Sequence, residues 1–134
     1  MRRALPTLLL GLLAVLPGCA PAAQLAQPNE RATLTRSGLS LVVTNPGPDA
    51  LTGDPSRTGD GPALTVQGTG LVPDAQAAQW CEAVTSSRWA CTLPGVPAGQ
   101  RLRVTFTAGT LLDAAVFAYR PSLGARPVIL WMLP

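Results

Sequence analysis

The hydrophobic positions of this chain follow three patterns in turn from the amino terminus. Leu5 to Leu16 is a nearly unbroken apolar run, "LPTLLLGLLAVL". Ala20 to Glu30, "APAAQLAQPNE", holds almost no large apolar residue and is too poor in such side chains to fold, which makes residues 19–30 a flexible tether. Residues 31–134 carry short apolar or alternating runs separated by Gly, Pro, Asn and Asp clusters, with no long segment of helical period.

These runs predict strands. The first two are Ala32 to Arg36 and Leu39 to Thr44, ending at a Pro/Gly turn over Asn45 to Asp49. Residues 50–62, "ALTGDPSRTGDGP", read as loop. Leu64 and Val66 alternate with Thr65 and Gln67 as in a half-buried strand, which Gly68 and Gly70 are expected to close. "DAQAAQ", Asp74 to Gln79, is either one helical turn or a lead into the next strand. After the turn-rich "LPGVPAGQ", "RLRVTFT" alternates cleanly, with Leu102, Val104 and Phe106 inward and Arg101, Arg103, Thr105 and Thr107 outward. Ala114 to Tyr119 and Val128 to Leu133 complete the set. The last of these is apolar on both faces, which suits a core strand; as an edge it would let a partner add a strand. About seven short strands with no helix to cover a parallel sheet predict an all-β fold, an antiparallel β-sandwich.

The segment "QWCEAVTSSRWACTL" fixes a register. A three-residue loop at Thr85, Ser86 and Ser87 puts Val84 opposite Arg88, and the same register puts Cys81 opposite Cys91. Directly opposed residues have Cβ atoms about 4.5–5.5 Å apart, close to disulfide geometry. Cys81 and Ala83 then share a face with Trp89, Cys91 and Leu93. The alternative, two reduced core cysteines, needs a reducing compartment. With Cys81 paired to Cys91, Cys19 is the odd cysteine.

Charge and composition narrow the readings further. The formal net charge of +3 includes Arg2 and Arg3 of the leader, and without them eight Arg face seven acids. That balance leaves no electrostatic footprint for nucleic acid. The chain has neither Lys nor His, which removes the usual general base, the commonest metal ligand and any Schiff-base amine. Met1, Arg2 and Arg3 followed by the apolar run have the parts of an export signal, and the run is too short for a bilayer core that needs roughly 20 residues.

The end of that leader, "LPGCAP", resembles the lipobox of bacterial lipoproteins. Leu16 stands three residues before Cys19 and Gly18 immediately before it, while Pro17 holds a position where Ala, Ser or Thr is more usual. The resemblance implies cleavage after Gly18, removing a signal peptide of residues 1–18, and a diacylglyceryl group on the Cys19 thiol. The alternative is an ordinary secretory leader with a chance cysteine near its cut. Two or more acyl chains give stable membrane anchoring. Ala20 in place of Asp is similar to the sorting pattern that directs lipoproteins to the outer membrane of a two-membrane envelope.

Three stretches in order resemble the bacterial conserved-repeat domain, an immunoglobulin-like surface module without a known biochemical activity. They are "VTNPGPDA" from Val43 to Ala50, the pair Cys81 and Cys91 with "WACTL", and "VPAGQRLRVTFTA" from Val96 to Ala108. The similarity spans about Leu39 to Ala108. It implies an immunoglobulin-like sandwich over residues 31–134 and transfers no catalytic residue.

Candidate chemistry is sparse. Asp54 and Asp60 could suggest calcium, but their spacing of six fits neither an EF-hand nor an aspartate-rich repeat, and Asp in a Gly/Pro loop is ordinary turn chemistry. Ser40, Ser56, Ser86, Ser87 and Ser122 have no evident base other than a carboxylate, and none lies in a G-x-S-x-G elbow. An enzyme would need at least two of Asp54, Asp60, Asp74, Glu82 and Asp113 in one concave cluster. Trp80, Trp131 and Tyr119 are candidates for a binding surface, Trp80 because it lies on the hairpin face away from the cysteines, whereas Trp89 reads as core. The expectation is a lipid-anchored envelope protein, not an enzyme and without cofactor or metal, acting as a structural or protein-interaction module towards other envelope proteins. The alternative is an envelope lipoprotein that binds a carbohydrate or other small molecule through exposed aromatics.

Overall fold

The computed structural model describes residues 32–57 and 60–134. They form seven strands: β1 (Thr33–Ser37), β2 (Ser40–Asn45), β3 (Ala63–Pro73), β4 (Cys81–Thr85), β5 (Arg88–Thr92), β6 (Gln100–Tyr119) and β7 (Pro127–Trp131). A helical turn, α1 (Ala77–Trp80), precedes β4. Asp74 starts it, its Oδ1 accepting from the Ala77 amide at 2.8 Å. The fold is the expected all-β one, antiparallel between all paired strands and sandwich-like.

The strands run in the order β1-β2-β6-β3-β5-β4, with β7 on β6 beside this path. β6 is 20 residues long and organises the rest. Its first part pairs with β2, from Asn45 opposite Gln100 to Ser40 opposite Thr105. Its last part pairs with β7, from Ala115 opposite Trp131 to Tyr119 opposite Pro127. β3 lies along the other edge, from Ala63 opposite Phe117 to Pro73 opposite Phe106. The stretches 101–107 and 114–119, read separately in the sequence, are therefore one strand.

Continuity across residues 107–113 depends on a paired irregularity. The β3–β6 register shifts between Gln67 and Gly68 and twice more before Pro73, and such bulges bend a ribbon and increase its twist. Gly70 (φ +64) and Gly109 (φ +102) both adopt positive φ. A Cβ on Gly109 would come within 2.5 Å of the Gly70 carbonyl, so the backbones meet where only glycine fits. Gly68 and Gly70 thus bend β3 instead of closing it. Beyond the bend the two layers face each other over one core, in which Leu34, Leu41 and Val43 meet Leu64, Val66, Val104, Phe106, Val116 and Leu130.

The long loop is mostly as expected, except that Leu51 is fully buried and pairs with Val96, and Thr52 pairs with Tyr119. The Asn45–Asp49 turn is tied down by its own side chains. Asn45 is buried, donating from Nδ2 to the Asp49 and Val96 carbonyls at 2.9 and 2.8 Å while its Oδ1 accepts from the Gly47 amide at 3.0 Å. Arg120 follows β6 and is 0% exposed. Its Nη1 donates to the Asp49 carbonyl oxygen at 2.7 Å and lies 3.3 Å from Asp49 Oδ1. The Ser122 amide donates to Asp49 Oδ2 at 2.7 Å.

Burial pushes the Asp49 carboxyl up, but the hydrogen bonds from Ser122 and the Arg120 guanidinium outweigh it and hold the group below its ordinary value. A carboxyl depressed in the folded state contributes stability that is complete above the unfolded value and is lost as pH falls through the folded one. Melting temperature should therefore decline from about pH 4 downward, and Asp49→Asn should flatten that decline while lowering stability at pH 7. Calorimetry across pH checks this, and a decline of equal steepness in the variant contradicts it.

Candidate binding face

Strand alternation decides which side chains reach solvent on the β7-β6-β3-β5-β4 layer. On β6, Ala114, Val116 and Ala118 are buried, so residues 115, 117 and 119 point outward. On β7, Val128 and Leu130 are buried while Ile129 and Trp131 are 46% and 67% exposed. The last strand is thus half core and half surface, not buried on both faces. The register places Trp131 beside Ala115 and Ile129 beside Phe117, which is itself 42% exposed. Tyr119 follows on the same side, its ring meeting Phe117 edge to face at 5.8 Å between centroids. The structure therefore places Trp131 and the half-buried Tyr119 on one face, four β6 positions apart, with Phe117 and Ile129, neither of which the sequence singled out, between them.

Trp80 is elsewhere. It ends α1 at the start of β4, across β3 and β5 from β6, and is half-buried against the core instead of exposed on the hairpin. Trp89 packs on the core as expected, edge-on to Phe106 at 6.2 Å.

Two depressions border the aromatic face. One is a groove of about 440 Å³ between the start of β1 and β7, lined by residues that include Leu34, Arg126, Leu130 and Trp131. It ends where Leu34 and Met132 form a parallel bridge. The other, about 130 Å³, lies on the far side of Trp131 and is lined by Thr65, Gln67, Asp113, Ala114, Ala115 and Trp131.

Cys81 and Cys91 are bonded as the hairpin register requires, with Cα atoms 3.9 Å apart. The register holds through Glu82 opposite Ala90 and Ala83 opposite Trp89, then slips, so that Thr85 rather than Val84 faces Arg88. The extra residue is Val84, which makes the tip a tighter turn with a bulge in place of the three-residue loop. The bond ties the outermost strand, β4, to β5.

The acidic residues are dispersed. Asp54 accepts from the Ser56 amide and hydroxyl at 2.9 and 2.7 Å, bonds that hold its carboxyl below the ordinary value despite the opposing effect of desolvation. Asp60 pairs with Arg57 at 2.9 Å. Asp74 serves the start of α1, and Glu82 and Asp113 lie on β4 and β6 with β5 and β3 between them, roughly 14 Å apart by strand spacing. No group of three His, Cys, Asp or Glu that could hold a metal ion occurs among the described residues. Cys19, the leader and the tether lie outside the described residues, and no helix among those described is long and apolar enough to cross a membrane.

No family model matches the chain, and neither a curated protein nor a solved structure matches it.

The disulfide closes about ten residues of chain, which restricts the unfolded state more than the folded one. Replacing both Cys81 and Cys91 by Ser should cost about 2–3 kcal/mol in chemical denaturation. Non-reducing peptide mapping should recover the Cys81–Cys91 link, and free thiols at both positions would contradict it.

Proposed function

We propose that the protein is a lipid-anchored, non-catalytic interaction module of a bacterial envelope, held at the outer membrane by acylated Cys19. It docks other envelope proteins through the outward face of β6 and β7. In this reading residues 1–18 are removed as a signal peptide, residues 19–30 are the tether, and residues 31–134 are the immunoglobulin-like module of the conserved-repeat kind that the three sequence stretches resemble. The observation that carries the docking surface is the grouping of Phe117, Ile129 and Trp131, all exposed on one face. A contiguous patch of large apolar side chains costs solubility in a monomer, and aromatic residues supply much of the energy where proteins meet. The flatness of a sheet face suits a protein surface, and the edge-to-face setting of Phe117 and Tyr119 presents no common plane on which a ligand could lie.

Two experiments test the two halves of this reading. Cys19→Ser should abolish incorporation of labelled lipid and move the protein from the membrane to the soluble fraction; continued membrane association removes the anchor. Phe117→Ser combined with Ile129→Thr should cost about 1–3 kcal/mol in total, through the Phe117–Tyr119 ring contact and the Phe117–Ile129 cross-strand pair, and still unfold in one cooperative transition because the core positions are unchanged. The same variant should lose the partners crosslinked in intact envelopes, and an unchanged crosslinking pattern argues against this face.

A further inference from the structure

We infer that the cleft beside Trp131, formed by Trp131, Ala115, Asp113, Thr65 and Gln67, is a subsite for one neutral pyranose ring of a polysaccharide. This goes beyond the docking of proteins; it shares Trp131 with that face but otherwise rests on Ala115, Asp113, Thr65 and Gln67 and not on Phe117 and Ile129.

The register builds the cleft. Ala115 lies opposite Trp131 on one side and opposite Thr65 on the other, so one row crosses β7, β6 and β3 on the outward face. The neighbouring row places Asp113 opposite Gln67. Facing residues in such rows have Cβ atoms about 5 Å apart. Ala115 is the smallest side chain of its row, and its methyl group leaves open the space between the indole and Thr65. The result is an apolar wall at Trp131, a small floor at Ala115 and a polar rim of carboxylate, amide and hydroxyl.

That combination matches a sugar ring more closely than an apolar ligand. A pyranose has one face of C–H bonds, which the electron-rich face of an indole attracts, and a rim of hydroxyls that both donate and accept. Asp113 uses Oδ1 to accept from the Ala114 amide at 2.9 Å, and its Oδ2 has no partner among the described residues. Gln67 offers a donor and an acceptor on the same terminal amide, and Thr65 a hydroxyl capable of both. An apolar ligand would leave this rim unpaired. The volume of about 130 Å³ is well below the roughly 300 Å³ at which drug-sized pockets begin, so the cleft takes one ring and the rest of the glycan stays in solvent. The Asp113 carboxylate disfavours an acidic sugar, and Arg88, next in the row on β5, does not line the cleft.

All three polar side chains are exposed, so their bonds to a ligand replace bonds to water and the site is weak, with Kd on the order of 1 mM. The test is an NMR titration of the purified full chain with cellotriose, maltotriose and chitotriose, following the Trp131 indole N–H, with trigalacturonate as the anionic comparison. At least one neutral trisaccharide should give a saturating shift. In binding followed by saturation transfer to the sugar, its Kd should rise about tenfold or more in Trp131→Ala and about fivefold in Asp113→Asn and in Gln67→Ala, and be unchanged in Phe117→Ser. Asp113→Asn and Gln67→Ala alter exposed side chains and decide the matter even if Trp131→Ala destabilises the fold. The proposal falls if none of the three neutral sugars saturates by about 20 mM, if Asp113→Asn and Gln67→Ala bind as wild type does, or if trigalacturonate binds more tightly than every neutral sugar. None of these results bears on the crosslinking of proteins through Phe117 and Ile129.

Discussion

The backbone ladder of β6 is the constraint on which the rest depends. One strand of 20 residues exchanges hydrogen bonds with β3 on one edge and with β2 and then β7 on the other, so both layers are fastened to a single length of chain. An extended strand of that length spans about 65 Å at 3.3 Å per residue if straight, more than a domain of this size can contain. It has to bend, and it does so where Gly109 meets Gly70 and the β3 register slips. The bend lets Val104 and Phe106 and, beyond it, Val116 and Ala118 contribute to one core.

At the open end of the sandwich the chain uses polar groups in place of apolar packing. Arg120 is buried just beyond β6, with Asp49 facing it across the Asn45–Asp49 turn. A buried guanidinium without an acceptor would cost several kcal/mol, so this turn must close correctly for β6 to end where it does. The β2 end of one layer is thereby coupled to the β6 end of the other. Leu51 and Thr52 strengthen the coupling by bridging Val96 and Tyr119.

What the residue pattern made legible and what it did not follow from this architecture. Strands with one solvated face, such as 101–107, and the hairpin with its cysteine register show themselves by period two, which depends only on local geometry. The continuity of β6 was hidden because the inward positions change phase between Phe106 and Leu111, so alternation breaks there while the pairing with β3 slips and then resumes. Gly68 and Gly70 read as strand ends because a glycine's bend cannot be told from a stop without knowing what it bends around. Arg120 looks like any surface arginine, since its burial is decided by Asp49, distant in sequence. Of the binding face, Trp131 and Tyr119 were visible by residue type. Phe117 was not, because 114–119 is apolar at almost every position and offers no alternation from which to read its outward side. Trp80 was misplaced because it belongs to α1 and not to the hairpin that follows.

The bend in β6 also divides the surface chemically. Before it, the outward residues of β6 are Arg101, Arg103, Thr105 and Thr107, and Thr105 is bonded to Ser40 of β2 at 2.8 Å, as suits a face kept in water. After it, the outward residues are Asp113, Ala115, Phe117 and Tyr119, joined by Ile129 and Trp131 from β7. The same strand in the same fold thus presents a charged surface on one layer and an aromatic one on the other. Folding alone does not require the difference, because the buried positions of the two halves are alike. Polar residues at 117, 129 and 131 would leave the buried positions of β6 and β7 unchanged, so what the aromatic half adds to stability is confined to contacts within its own face, such as Phe117 on Tyr119.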